Sequence, residues 1–192
     1  MTEARPIPML RGEHVSLRPM EKADVREPLD DQELAHYAGF KSPIGGEASE
    51  RWFEQKMLPQ LGDAHYQFVI CPLGSHEGIG TCGLRAIDRV NGHAELSIFL
   101  ERGSWGRGLG TDAVNALIDF AFGELRLERV YLHVFDYNPR AMRSYEKSGF
   151  VREAVLRRAR FHRGTHHDVI VMAVLRSEWQ ALPRKRSWDF TE

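Results

Sequence analysis

Three glycines stand immediately before an amphipathic helical pattern in the stretch SWGRGLGTDAVNALIDFAF, residues 104–122. Its apolar residues recur every three or four positions, which predicts a helix that buries one face and ends at Gly123. Glycine at a helix start costs roughly 0.5–1 kcal/mol relative to alanine, and the first turn leaves backbone N–H groups unpaired at the positive end of the helix dipole. Gly106, Gly108 and Gly110 therefore predict a phosphate-binding helix start.

Strand and helix patterns alternate along the rest of the chain. Strand patterns cover residues 14–20, 66–71, 79–88, 93–100, 129–135, 150–161 and 167–175, and helical patterns cover residues 21–40, 47–58, 139–148 and 176–182. The segment 129–135 is apolar or aromatic at nearly every position, which predicts a strand buried on both faces. Asn138, Pro139 and Gly149 are typical of a helix start and a helix end. The order of elements predicts an α/β fold with a mixed sheet.

Composition narrows the function classes. The chain has 192 residues, 42% hydrophobic and 28% charged, as expected for one soluble globular domain, and the N-terminal stretch MTEARPIPML carries no secretory signal pattern. No apolar run approaches the roughly 20 residues that span a bilayer. A formal net charge of −1 argues against a nucleic-acid partner. Cys71 and Cys82 lie in apolar strand patterns and are expected to be buried free thiols, which favours a cytoplasmic protein.

The glycine stretch on its own admits two phosphate-bearing ligands. Residues 108–113, GLGTDA, fit the pattern G-x-G-x-x-A of dinucleotide-binding folds, and Asp136 follows the next strand. Against this, about one hundred residues precede the glycines, and the strand before them alternates as antiparallel strands do. NAD and coenzyme A therefore both remain open from these residues alone.

Two motifs in the right order resemble one family. WGRGLGTDA resembles the pyrophosphate-binding motif of the GCN5-related N-acetyltransferases (GNAT), although Trp105 stands where many members have Gln or Arg, and NPRAMRSYEKSGF resembles that family's Asn and Tyr-Glu-Lys signature. The flanking segments resemble its RimJ/RimL-like branch, which acetylates ribosomal-protein N-termini. The resemblance implies one N-acetyltransferase domain over residues 1–192, with a core at about 10–178. It also implies the GNAT fold, a mixed, mostly antiparallel sheet that splays in the middle and is flanked by helices.

The same resemblance implies acetyl-CoA as co-substrate, without a metal. The expected cofactor-binding residues are Trp105, Gly106, Arg107, Gly108, Leu109, Gly110 and Thr111 for the pyrophosphate, Ile98, Phe99 and Leu100 for the pantetheine arm, and Asn138 and Tyr145 near the reacting end. The Arg107 side chain is expected to add positive charge at the rim. The histidine-rich turn HRGTHHD, residues 162–168, matches no common zinc spacing.

Two side chains are expected to move protons during acetyl transfer. Tyr145 falls on the family's tyrosine and would protonate the departing thiolate as a general acid. Glu95 is the expected general base, acting through water, with His93 and His133 as possible substitutes. Asp168 is expected near the acceptor end. Tyr37, Trp52 and Phe53 are candidates for lining an acceptor pocket within residues 21–58.

The acceptor is the least determined part of the sequence-based hypothesis. A protein N-terminal amine is expected first, and a small-molecule amine such as a polyamine or an amine-bearing antibiotic second. A different class, a catalytically silent CoA-binding sensor module, also fits the fold. Relatives often pair, so a homodimer is a further expectation.

Overall fold

The computed structural model describes residues 10–24, 36–37, 51, 54–55 and 64–190. The helices predicted within residues 21–58 lie mostly outside these ranges, as do Trp52 and Phe53. The strands are β1 (Leu10–Arg11), β2 (Val15–Pro19), β3 (Tyr66–Pro72), β4 (Gly80–Asp88), β5 (His93–Leu100), β6 (Arg129–Phe135), β7 (Val151–His162) and β8 (Thr165–Leu175). The α-helices of this part are α1 (Leu109–Gly123), α2 (Pro139–Lys147) and α3 (Arg176–Ala181), with 3-10 turns at Lys22–Asp24, Arg102–Ser104 and Ser187–Phe190.

All eight strands join one sheet in the order β1-β2-β3-β4-β5-β6-β8-β7. The β5–β6 pair is parallel, and the other six neighbouring pairs are antiparallel. The predicted mixed, mostly antiparallel sheet is therefore confirmed, as are the two hairpins β3–β4 and β7–β8. Within the described ranges no helix is long and apolar enough to cross a bilayer.

The parallel pair β5–β6 separates partway along its length. Ladder pairing joins His93 to Arg129, Ala94 to Val130 and Glu95 to Tyr131, while β5 runs on to Leu100 and β6 to Phe135. On its other side β5 stays paired with β4 as far as Leu100. The sheet thus opens along one seam, and β5 keeps backbone hydrogen-bonding groups facing that opening.

The core lies between the sheet and α1. The apolar face predicted for this helix is buried, with Ala113, Leu117 and Ile118 essentially inaccessible. Phe120 adds edge contacts to Tyr66 and Phe68 with ring centroids 5.1 and 5.7 Å apart. The helix also ends at Gly123, as predicted.

A buried carboxylate fastens the C-terminal segment onto α1. Asp119 is 1% exposed and accepts hydrogen bonds from Trp179 Nε1 at 2.7 Å, from an Arg184 guanidinium nitrogen at 2.6 Å and from the Ser187 backbone N–H at 2.7 Å. A charge this deep is tolerated because it is paired and fully hydrogen-bonded. Cys71 and Cys82 are buried free thiols, which confirms the prediction.

The prediction that residues 129–135 form a strand buried on both faces was wrong. Val130, Leu132 and Val134 are buried on the face toward α1, whereas the His133 side chain on the other face is 38% exposed. The face of β6 that carries His133 is therefore only partly covered. Tyr and His side chains fit an aromatic sequence pattern, but each has a polar end that allows it to lie on a partly exposed surface.

Candidate active site

The start of α1 is shaped by two glycines in left-handed backbone conformations. Gly106 has φ +73° and Gly108, the N-cap residue, has φ +80°. A Cβ at either position would meet open space, so the backbone conformation rather than crowding favours glycine there. Asp112 in the first turn accepts hydrogen bonds from the backbone N–H groups of Glu13, His14 and Val15 at 2.8–3.0 Å. That carboxylate is therefore committed to the start of β2.

Residues of α2 and its flanks cap both ends of this helix. Asn138 caps it by accepting a hydrogen bond from the Ala141 N–H at 3.1 Å, and Pro139 occupies the first helical position. At the other end Gly149 has φ +90°, and the Phe150 N–H donates to the Tyr145 carbonyl at 3.0 Å. This closure is a Schellman motif. All three helix signals predicted for α2 are confirmed.

A cavity of about 590 Å³ lies where β5 and β6 diverge and reaches the starts of α1 and α2. Its walls include these predicted site residues: Tyr37, Glu95, Ile98, Phe99, Leu100, Trp105, Gly106, Gly108, Gly110, Thr111, His133, Asn138 and Tyr145. Arg107 is exposed and does not line it, and the Leu109 side chain, 8% exposed, joins the hydrophobic core instead. His93 also lies off the cavity, with its Nε2 3.7 Å from Asp88.

Four basic residues of the cavity wall were not predicted. Arg140, Arg143 and Lys147 follow one another at helical spacing on α2, and Arg85 comes from β4. The signal was present in the stretch NPRAMRSYEK, where positions three and four apart share one helix face. The three cations of α2 give the cavity a positive wall, which suits a phosphate-bearing ligand, whereas Arg85 is paired with Glu95.

The Trp105 side chain makes two contacts of its own at the cavity wall. Its indole N–H donates to the Leu100 carbonyl at 2.7 Å, and the Arg140 guanidinium lies 3.4 Å from the ring centroid. The cation–π contact holds Arg140 against the cavity wall. Trp105 thus ties the end of β5 to the start of α2.

Tyr145 places a buried phenol at the cavity. The side chain is 8% exposed, and its ring packs against Phe150 with centroids 5.9 Å apart. Burial raises the pKa of Tyr145 to about 12, because the phenolate would lose its hydration. The phenol therefore keeps its proton over the whole neutral range.

Glu95 sits at the last β5–β6 pair and is already engaged. One carboxylate oxygen, Oε1, accepts a hydrogen bond from Arg85 at 2.7 Å and lies 3.0 Å from His133 Nδ1. Burial raises the pKa of Glu95, but the hydrogen bonds from Arg85 and His133 outweigh it, and the pKa lies below its usual range. Glu95 is thus an ionised carboxylate with two partners.

Asp168 lies away from the cavity, where it shapes the β7–β8 hairpin. Its carboxylate accepts the Arg158 N–H at 2.7 Å, at a residue with φ +54°, and so stabilises an irregularity in β7. Its own N–H donates to Asp136 at 3.0 Å. In the same hairpin, His162 Nε2 lies 2.7 Å from His36 Nδ1, and the His162 ring stacks on Tyr137. Across the described ranges, no three His, Cys, Asp or Glu side chains are grouped so as to hold a metal ion.

Comparison with known proteins defines the class that this fold and cavity represent. Residues 14–151 match the family described as the acetyltransferase (GNAT) domain, and the chain belongs to that family. It is 31% identical over 175 residues to the uncharacterized N-acetyltransferase p20 of Bacillus licheniformis, covering 88% of this chain and 97% of p20. It is 30% identical over 175 residues to the spermidine N(1)-acetyltransferase of Escherichia coli (strain K12), and the match covers 87% of this chain and 89% of that enzyme.

A solved structure supports the same assignment. Spermidine N-acetyltransferase from Vibrio cholerae, in complex with CoA and spermine, superposes with a TM-score of 0.78 at 27% identity, covering 87% of this chain and 98% of that one. The chain is an acetyl-CoA-dependent N-acetyltransferase. The narrower RimJ/RimL-like branch stays a prediction.

Proposed function

We propose that this enzyme binds acetyl-CoA in the cavity between β5 and β6 and transfers the acetyl group to a small-molecule amine of the polyamine type, by direct attack in a ternary complex. The observation that carries the cofactor assignment is the cavity itself, which opens where the parallel ladder ends and reaches the glycine-rich start of α1. The polyamine assignment rests on the relatives named for spermidine.

The residues present fit coenzyme A. Backbone N–H groups between Gly106 and Thr111 meet the pyrophosphate at the positive end of α1, and the basic face of α2 adds charge for the remaining phosphate. Segment 96–100 of β5, which faces the opening, offers N–H and C=O groups to the amides of the pantetheine arm. A backbone N–H of that segment also polarises the thioester carbonyl, as an oxyanion-hole donor does.

Tyr145 serves as the general acid in this proposal. A thiol has an ordinary pKa near 8.5, below that of Tyr145, so the phenol gives its proton to the departing thiolate only as the acidic proton of the newly acylated amine replaces it. Because Tyr145 stays protonated well above neutral pH, the proton is present whenever the carbon–sulfur bond breaks. The residue lines the cavity from α2, which supports its assignment to the reacting end of the cofactor.

The acceptor decides how much help the enzyme must give. An alkylamine with a pKa near 10.4 is almost fully protonated at neutral pH, and its neutral form costs about 5 kcal/mol, whereas that of an α-amine costs only about 1 kcal/mol. A polyamine acceptor therefore requires a group that removes a proton, and Glu95 and His133 both line the cavity where one is needed.

An acceptor panel tests the proposal. The purified enzyme is incubated with acetyl-CoA and, separately, spermidine, spermine, N-terminal peptides of ribosomal proteins and an amine-bearing antibiotic, while thiol release and product mass are followed. We expect acetylated polyamine with one thiol released per product. A peptide acetylated far faster would move the acceptor to the N-terminal class, and the absence of any acetylated amine would refute the proposal. Reactions without enzyme or without amine control for hydrolysis.

A further inference from the structure

The cavity holds a carboxylate and an imidazole joined by one hydrogen bond. Glu95 Oε1 and His133 Nδ1 are 3.0 Å apart, and the two residues come from adjacent strands at the point where their pairing ends. Both side chains line the cavity, with Glu95 15% and His133 38% exposed. The more accessible member of the pair is therefore the histidine.

The hydrogen bond fixes which nitrogen of His133 carries the proton. An ionised carboxylate only accepts hydrogen bonds, so the Nδ1 atom must be the donor. The neutral imidazole then has its lone pair on Nε2, the atom that faces away from Glu95. Glu95 thus holds the ring in the tautomer that accepts a proton on the far side.

Glu95 is poorly placed to accept that proton itself. Its Oε1 atom accepts hydrogen bonds from the Arg85 guanidinium at 2.7 Å and from His133 Nδ1 at 3.0 Å. Protonating the carboxylate would weaken a charge-assisted pair with a guanidinium that lies directly opposite on β4. His133 also meets the Tyr131 ring edge-on, with centroids 5.9 Å apart, and its partner on β8, Val171, is uncharged. Arg143 and Lys147 line the same cavity from α2.

From this arrangement we infer that His133 is the catalytic base that takes the proton from the acceptor ammonium, and that Glu95 is a positioning residue that orients and electrostatically supports it. This inference rests on the proposed acetyltransferase function.

His133 Nε2 removes one proton from the acceptor ammonium, and the neutral amine nitrogen attacks the thioester carbon. A carbon–nitrogen bond forms and the carbon–sulfur bond breaks. The thiolate takes a proton from Tyr145, the second amine proton restores Tyr145 through water, and the imidazolium releases its proton to solvent.

Two substitutions separate this assignment from the alternative in which Glu95 is the base. We expect H133Q to lower kcat for spermidine by roughly 100-fold or more, to alter the acid limb of the kcat/KM profile, and to leave CoA affinity within about twofold. E95Q keeps an acceptor for Nδ1 but removes the charge, so a smaller loss is expected, in kcat more than in KM. H93Q changes a histidine of β5 that lies off the cavity and is the matched control.

The outcomes are distinguishable from failure of the proposed function. If the wild type acetylates no amine, both proposals fall. If the wild type is active and H133Q keeps its rate and its acid limb, this inference alone is overturned. A 100-fold loss in E95Q beside a mild effect in H133Q would assign the base to Glu95. Calorimetric titration with CoA and far-ultraviolet circular dichroism establish that each variant is folded.

Discussion

Two helix starts lie side by side at the cavity and differ in how their first turns are completed. The start of α2 carries its own acceptor, the Asn138 side chain, which receives the Ala141 N–H at 3.1 Å. The N-cap residue of α1 is Gly108, which has no side chain to offer. Thr111 in the first turn of α1 and Ser144 in the second half of α2 join the two helices through a 2.8 Å hydrogen bond.

The difference shows how one fold divides binding from catalysis. A helix whose first turn is capped by a side chain needs no ligand to satisfy that backbone N–H. The helix α2 accordingly contributes side chains to the cavity, namely Tyr145 and the basic face. A helix start without a cap offers its backbone N–H groups and dipole to an anion, and α1 contributes these. Four substitutions test this division of roles between α1 and α2.

Replacing Tyr145 by Phe tests the side-chain role of α2. We expect kcat to fall by about 100-fold or more with CoA affinity nearly unchanged, because the phenol donates a proton and does not hold the cofactor. Since burial raises the pKa of Tyr145 to about 12, the wild type should show no alkaline loss of kcat from this group below about pH 10. Steady-state kinetics across pH check both points. An undiminished kcat would make Tyr145 only a core aromatic.

Replacing Gly108 by Asp tests the backbone role of α1. The carboxylate would cap the helix and repel an anion at the same place, so CoA affinity should fall by about 30-fold, equivalent to about 2 kcal/mol. Gly108→Asn is the matched control, because Asn tolerates a positive φ equally well but carries no charge. Isothermal titration with CoA gives both affinities. Equal losses in the two variants would point to backbone strain and contradict an anion site.

Replacing Asn138 by Ala tests whether the N-cap of α2 contributes to the stability of the fold. Loss of the cap should lower the free energy of unfolding by about 1 kcal/mol, while Asn138→Ser should restore most of it. Urea denaturation measures this. A variant with full stability but strongly reduced CoA affinity would show instead that Asn138 acts mainly on the cofactor.

Replacing Arg143 by Gln tests the basic face of α2. Because this side chain is exposed, we expect only a two- to fivefold weaker affinity for CoA, shrinking as salt is added. Arg107→Gln is the control, since Arg107 is also exposed but lies off the cavity. If Arg107→Gln had the larger effect, the rim role expected from the sequence would be restored to it.

Local signals in the sequence predicted the elements well. The bounds of β5, β6 and α1 and the cap residues of α2 follow from periodicity, glycine and proline, which act within a few residues. The open face of β6 was missed, because the cover over a sheet face comes from elements distant in the sequence. The contact of Glu95 with His133 joins residues 38 positions apart, and no local pattern specifies such a pairing.

A crystal structure of the CoA complex would show whether α1 and the diverging ends of β5 and β6 hold the cofactor. We predict the pyrophosphate on the backbone N–H groups of residues 106–111 and the pantetheine arm between Ile98–Leu100 and Val134–Phe135, with the thiol near Tyr145. Density for CoA anywhere else, such as against the capped start of α2 with the seam between β5 and β6 empty, would contradict this account.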